Sequence, residues 1–294
     1  MSEKSVGGND IFLTAAKSRL DQYFFERDLD GGSTLALPEL YARLFELRFP
    51  ALIDRATQGF TPDREQPHLH YVVLPALTER EREEIDSFIG DFSRYLLLGL
   101  GRHLAERFCA ELDFCLALDF NFTLEPGARS EIGELLYRAK YKRRRLARRR
   151  LVNQLLPAFR RLPFRSPPAG VVLSSPPIPQ TKNFDLPYLL AKSLTRRLLK
   201  SGEQVEQVIA RLRLPKPSMK DSRFQHKLDF WEKVMQPQHV ELSGTPQGRT
   251  VCVVDDLYKS GCTLWSYARL LKQLGADQVL GLVAVKSISD GVTP

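Results

Sequence analysis

The sequence predicts an α/β protein in which a parallel-sheet domain, residues 128–294, follows an α+β domain, residues 1–127. Three observations carry that expectation. Val251 to Val254 is a run of β-branched and small apolar residues that opens into Asp255 and Asp256, a glycine-containing turn, an amphipathic helix and a second apolar strand, Gln278 to Lys286. Elements in that order build a sheet covered on both faces. Asp113 to Leu124 alternates without a break: Phe114, Leu116, Leu118, Phe120, Phe122 and Leu124 point one way, and Asp113, Cys115, Ala117, Asp119, Asn121 and Thr123 the other. This predicts a half-buried strand, paired with a strand at Tyr71 to Pro75 in the front domain. Pro126-Gly127 then breaks the chain and marks the domain boundary.

At 294 residues, 43% hydrophobic and 27% charged, the chain is long enough for two cores and too apolar for wholesale disorder. No apolar run approaches the about 18 residues of a membrane span. The start, MSEKSVGGND, has no apolar signal core, so a cytoplasmic protein without a membrane partner is expected. Cys109, Cys115, Cys252 and Cys262 show no C-x-x-C spacing and read as reduced thiols rather than zinc ligands. The net charge of +8 is concentrated: between Leu135 and Phe184 stand thirteen Lys and Arg and no acid, while elsewhere acids outnumber bases by five. One segment is the anion magnet.

In chain order, Asp10 to Arg27 predicts an amphipathic helix and Pro38 to Phe49 a second. Between them, residues 28–39 resemble the EF-hand calcium loop, with Asp28, Asp30, Thr34, Leu35 and Glu39 at its first, third, seventh, eighth and twelfth places. Gly32 stands where a side-chain ligand belongs and Ser33 where the sharp turn wants glycine, so a plain helix–helix turn is preferred to a calcium site. His68 and His70 share one side of a strand with no acid or cysteine paired to them, which reads as a strand face rather than a metal site. Thr78 and Glu81 form a capping-box pattern that opens a helix to about Cys109. Nothing in residues 1–125 matches a known family.

Ser130 to Leu156 predicts one helix with the apolar stripe Ile132, Leu135, Leu136, Ala139, Leu146, Ala147, Leu151 and Leu155, stopped by Pro157. Arg138, Lys142, Arg145 and Arg149 form a row on the opposite face, with Arg144 and Arg148 beside them. Like charges at i,i+4 oppose helix formation by a few tenths of a kcal/mol per pair, and no Glu interrupts the row. An anionic partner is therefore expected: DNA or RNA on residues 138–165, contacted by Arg144, Arg145, Arg148 and Arg149, or an acidic protein surface.

Beyond this helix, Gly170 to Leu173 and Val205 to Arg211 read as strands, and Leu186 to Lys200 and Phe224 to Met235 as helices, with Trp231 in the core. The candidate chemistry lies at Asp255 to Thr263. Two carboxylates at the end of a strand accept hydrogen bonds from vicinal hydroxyls, and the turn Lys259 to Thr263 offers backbone N–H groups, hydroxyls and a helix N-terminus to a dianion.

The string Val251 to Thr263 resembles the signature of type I phosphoribosyltransferases, a hydrophobic strand, two acids and a T-T-G-x-T or A-T-G-x-T loop. The resemblance implies that fold, a Rossmann-like parallel sheet. It also implies a ligand: 5-phosphoribosyl pyrophosphate (PRPP) or a nucleotide, with Asp255 and Asp256 on the ribose hydroxyls and Lys259, Ser260, Gly261, Cys262 and Thr263 on the 5′-phosphate. Lys259 and Cys262 replace small residues, so the loop is a variant. Tyr137, Lys140, Tyr141, Pro177, Pro179, Lys182, Asn183 and Phe184 add a resemblance to the ComF-type branch associated with DNA uptake, over residues 130–288. Asp185 and Leu186 depart from the Asn-Gln pair of that branch, and its N-terminal four-cysteine zinc module is missing.

By the same resemblance, Ser174, Ser175, Lys182, Lys216, Lys220 and Arg223 meet pyrophosphate from the Ser174 to Pro177 turn and a lid at Leu214 to Arg223. Mg²⁺ is the implied cofactor, spanning PRPP near Asp255 and Asp256. Three functions follow: phosphoribosyl transfer to a nitrogen base, a PRPP or nucleotide sensor without turnover, or a nucleic-acid accessory protein in DNA uptake, DNA processing or phage defence. A homodimer or a larger protein complex is compatible with each.

Overall fold

The computed structural model describes residues 20, 23–27, 31–98, 111–123, 127–164, 170–180, 184–215 and 224–287. Contacts divide the chain into two compact units, one Ala15–Gly99 and the other containing Leu100–Pro294.

The first unit holds strands β1 (Phe24–Arg27), β2 (Ser33–Pro38), β3 (Thr61–Pro62), β4 (Leu69–Leu74) and β5 (Leu96–Leu97), and helices α1 (Glu39–Arg48), α2 (Pro50–Arg55) and α3 (Glu79–Arg94). Four of the strands form an antiparallel sheet in the order β1-β2-β4-β3. Ser33, Leu35 and Leu37 alternate into the core, and an aromatic cluster fills it, with Phe45 edge-on to Phe88 at 5.4 Å and Phe88 against Phe92 at 4.7 Å. Thr78 and Glu81 do form a reciprocal capping box on α3. This helix stops at Arg94, short of the expected Cys109.

Two expectations fail here. Phe24–Arg27 is strand rather than the end of a helix, and it pairs with Ser33–Pro38, Phe24 opposite Ala36. A β-connection replaces both the helix–helix turn and the calcium loop, because Thr34 and Leu35 lie in the ladder; Asp28 and Asp30 fall outside the described residues. The short period-2 stretch Ser33–Leu37 outweighs the helical pattern at Phe24 to Arg27, and most of the expected helix, residues 10–19, 21 and 22, lies outside the described residues.

The second unit holds strands β6 (Phe114–Phe120), β7 (Val171–Ser174), β8 (Ile178–Pro179), β9 (Val205–Gln207), β10 (Ala210–Leu212), β11 (Val240–Leu242), β12 (Thr250–Tyr258) and β13 (Gln278–Lys286). Its helices are α4 (Glu131–Lys140), α5 (Arg145–Arg160), α6 (Leu186–Lys200), α7 (Phe224–Val234) and α8 (Cys262–Gln273). The main sheet runs β6-β13-β12-β7-β9, and these strands are parallel throughout. β10 pairs with β8 and β11 in a separate small sheet.

β6 is the first correction in this unit. It lies parallel to β13, Cys115 beside Gly281, and does not pair with the strand at Tyr71. Phe114 to Leu118 are buried on both faces, so the small residues Cys115 and Ala117 made an interior strand look like a half-solvated one. The unit division accordingly falls before β6, near Gly99, rather than at Pro126-Gly127.

The second correction is the basic helix, which is two helices. α4 ends at Lys140, Arg143 takes φ +50°, and α5 begins at Arg145 and continues through Pro157 to Arg160. Lys140 and Arg138 in the last turn of α4 suit a helix C-terminus. Breaking there lets Ala147, Leu151, Val152, Leu155, Ala158 and Phe159 bury a second apolar face, which outweighs the carbonyl bond that Pro157 forfeits. The predicted strand Val205 to Arg211 is likewise two strands, β9 and β10.

Candidate functional site

Strand order positions the site. From β7 the chain moves to its neighbour β9 at the edge, then returns to the other side of β7 as β12 and moves on to β13. The order reverses between β7 and β12, and in open parallel sheets the crevice beyond the carboxyl ends of the strands at such a point is where ligands bind. Val253 is the last residue of β12 paired with β7, opposite Ser174, so Asp255 and Asp256 project just past that pairing.

The two acids occupy different environments. Asp256 is 5% exposed, and Lys140 Nζ, from the last turn of α4, donates to its Oδ1 at 3.0 Å and lies 2.8 Å from its Oδ2. Burial works to lower the Lys140 pKa, but the Asp256 carboxylate outweighs it and holds the ammonium above its ordinary value. Asp255 Oδ1 accepts the backbone N–H of Asp256 at 2.7 Å. Burial first, and the Asp256 charge second, push the Asp255 carboxyl up to about 7, against the opposing pull of that N–H and of Lys140. Asp256 is thus held in an ion pair with Lys140, while the Asp255 carboxyl is raised well above the ordinary carboxylate range.

The loop after β12 is built around Gly261. Its φ is +75°, and a Cβ there would come within 2.5 Å of the Tyr258 hydroxyl, which itself accepts Trp265 Nε1–H at 3.0 Å. Only glycine fits the left-handed turn and the ring packed against it. Gly261 caps α8 without a side-chain hydrogen bond, so the first N–H groups of the helix are left for a ligand or solvent. The Lys286 ammonium, 1% exposed, donates to the carbonyls of Ser287 at 2.8 Å and Lys259 at 3.4 Å and tethers the loop from β13. Ser260 Oγ donates to Cys262 Sγ at 3.3 Å. Burial raises the Cys262 thiol pKa, against that hydroxyl and the charge of Lys227 on α7.

Two adjoining cavities share Asp255, Leu257 and Thr263. A larger one of about 350 Å³ has Lys140, Asp185, Trp231, Asp255 and Asp256 in its wall, with Pro176, Pro177 and Pro179 facing them. A smaller one of about 70 Å³ is enclosed by Tyr258 to Leu264. The structure therefore brings Asp255, Asp256, Lys259, Ser260, Gly261, Cys262 and Thr263 together around one crevice.

Ser174 and Ser175 do not join them. They are 1% and 3% exposed; the Ser174 and Tyr267 hydroxyls are hydrogen-bonded at 2.9 Å, and Ser175 Oγ donates to the Pro176 carbonyl at 3.3 Å. Within the Ser174 to Pro177 turn it is Pro176 and Pro177, not the serine hydroxyls, that line the crevice. Lys182, Lys216, Lys220 and Arg223 lie outside the described residues. Lys140 was matched by motif without a site role; the available signal was a lysine beside Leu136 and Ala139 on the buried side of a helix, which demands an acid partner.

The Mg²⁺ expected at Asp255 and Asp256 can be tested against the donors. A small hard cation needs carboxylate oxygens open to it in near-octahedral geometry. Both oxygens of Asp256 face an ammonium, and Asp255 Oδ1 already accepts the Asp256 amide. Among the described residues no group of three or more His, Cys, Asp and Glu could hold a metal. These residues do not fit a protein-held Mg²⁺.

Arg144, Arg145, Arg148 and Arg149 gather at the start of α5, whose first turn contains no acid and whose N-cap, Arg144, makes no side-chain cap. A groove of about 670 Å³ between α4 and α5 is lined by Tyr137, Arg138, Lys142, Arg144, Leu146 and Arg150, among others. Leu146 is 62% exposed. Among the described residues no helix is long and apolar enough to cross a membrane.

No protein-family model matches the chain, and no curated protein matches it. Solved structures similar to it include a hypoxanthine phosphoribosyltransferase from Staphylococcus aureus in two crystal forms, both 12% identical. The orthorhombic form has a TM-score of 0.28 over 47% of this chain and 60% of that one, and the tetragonal form 0.31 over 49% and 73%. The Trypanosoma cruzi hypoxanthine phosphoribosyl transferase is 12% identical, with a TM-score of 0.30 over 55% and 70%. Likeness this slight carries no weight on function. The fold itself defines the class: a mixed α/β protein with a parallel sheet and an acidic crevice at its switch point.

Proposed function

We propose that the chain binds a 5-phosphorylated ribose ligand, PRPP or a nucleotide, beyond the ends of β7 and β12, and transfers the phosphoribosyl group to a nitrogen base. The observation that carries this reading is the placement of two carboxylates and an uncapped helix N-terminus side by side at the point where strand order reverses. The carboxylates suit vicinal hydroxyls, and the α8 N-terminus with Ser260 and Thr263 suits a phosphate. In transfer, the C1–N bond forms as the C1–O bond to pyrophosphate breaks, the bonding pair leaving with pyrophosphate and the proton of the attacking nitrogen passing to water or to the departing pyrophosphate. The protein contributes position and electrostatics rather than a covalent intermediate.

Calorimetric titration of PRPP and of ribose 5-phosphate into the wild type and Asp255→Asn/Asp256→Asn tests the reading. Binding abolished by the double substitution supports it; no binding to the wild type rejects it. Pyrophosphate release across a panel of bases then separates a transferase from a sensor.

The acid-free, basic start of α5 favours a second reading, nucleic-acid binding by Arg144, Arg145, Arg148 and Arg149, of which Arg144 also lines the groove between α4 and α5. Cations at an uncapped helix N-terminus repel one another until an anion arrives. Steeply salt-dependent binding to DNA or RNA, lost on changing those four to Glu, supports it; no binding at low salt removes it.

A further inference from the structure

Two adjacent carboxylates in a cavity repel each other and would also repel the phosphates of a ligand, so such a site requires a cation. Here the chain supplies one. Lys140 Nζ lies 3.0 and 2.8 Å from the two oxygens of Asp256. Its side chain remains 32% exposed and forms part of the cavity wall, so the ammonium faces both the acid and the space for a ligand. An ammonium carries three donors; after two to Asp256, one remains for a ligand oxygen.

The helix carrying Lys140 is fixed in place. Leu135, Leu136 and Ala139 are buried, and Gly133 sits so close to β6 that a Cβ there would lie 2.0 Å from the Asn121 carbonyl oxygen. The cation is therefore positioned by the fold before any ligand arrives.

We propose that Lys140 is the resident cation of this site, bridging Asp256 to an anionic oxygen of the ligand, so that the phosphoribosyl ligand binds without Mg²⁺. The assignment rests on the ligand class proposed for the crevice, and it follows from the misfit between Asp255, Asp256 and a divalent ion.

The experiment is calorimetric titration of PRPP, with ribose 5-phosphate alongside, into the wild type, Lys140→Met and Lys140→Arg, each in EDTA and in excess Mg²⁺. The wild type is expected to bind about equally in both buffers. Lys140→Met is expected to weaken binding in EDTA about tenfold or more, the scale of one charge-assisted hydrogen bond. Lys140→Arg, which keeps a cation beside Asp256, retains part of it. Wild-type binding that appears only with Mg²⁺ overturns the inference and leaves the ligand class standing; no wild-type binding in either buffer removes both. A folded Lys140→Met that binds like the wild type in EDTA overturns the role of Lys140. The wild-type arm decides even where a variant does not fold.

Discussion

Replacing Asp255 by Asn should make the protein more stable, and only above acidic pH. The folded-state pKa is pushed from 3.8 to about 7, so between those values the native protein holds a proton that the unfolded chain has released. Stability therefore falls as pH rises through that window and levels off above it. Between pH 3.8 and about 7 the lost stability accumulates at about 1.4 kcal/mol per pH unit, an upper scale of about 4 kcal/mol. Local relaxation and water entry share that cost, and Asn keeps the oxygen that accepts the Asp256 N–H, so a gain of about 1 to 3 kcal/mol at pH 8 is expected. At pH 5 the gain should shrink to a fraction of this, and below the ordinary carboxyl value it should vanish. The assay is urea unfolding followed by tryptophan fluorescence; the chain has two tryptophans, Trp231 and Trp265, both in the unit that holds the site. A destabilised variant, or a gain equal at pH 5 and pH 8, would refute the argument that Asp255 is a strained acid kept for binding.

Other perturbations test the surrounding scaffold. Gly261→Ala imposes a left-handed conformation costing about 1 to 2 kcal/mol and pushes a methyl group against the Tyr258 hydroxyl, so fluorescence-monitored unfolding should show at least that loss together with weakened phosphate binding. Ser174→Ala strands the buried Tyr267 hydroxyl and should cost about 1 to 3 kcal/mol, Tyr267→Phe should cost less because Ser174 Oγ still reaches the Ser175 carbonyl at 3.4 Å, and the double variant should lose less than the sum of the two, as a double-mutant cycle will report. Lys286→Met frees the Lys259 carbonyl, and hydrogen exchange at Lys259 to Gly261 should speed up while the amides of β12 remain protected.

The resemblance to a signature string picked out Asp255 to Thr263 because that chemistry is local: two acids, a glycine and a helix start lie within nine consecutive residues. The capping box at Thr78 and Glu81 and the boundaries of α6 and β13 were legible for the same reason, since near neighbours alone decide them. Misreadings came where a distant partner intervened. β6 looked half-buried because its second face carries Cys115 and Ala117, whose burial depends on β13, more than 150 residues away. Arg138 to Arg149 looked like one continuous row, yet α5 turns away after Arg143 to bury a second apolar face. Ser174 and Ser175 had the right chemistry and the wrong direction, because Tyr267 on α8 draws Ser174 into the core.

By itself the sequence determined which residue types stand at the end of β12 and where charge is concentrated, because both are properties of contiguous chain. Tertiary structure alone decided that β12 lies beside β7 at a reversal of strand order, and that Lys140, 116 residues from Asp256, reaches that acid. Strand order and ion pairing depend on which surfaces meet. The energies that select among those meetings are summed over many side chains distant in sequence, and no local pattern records the sum.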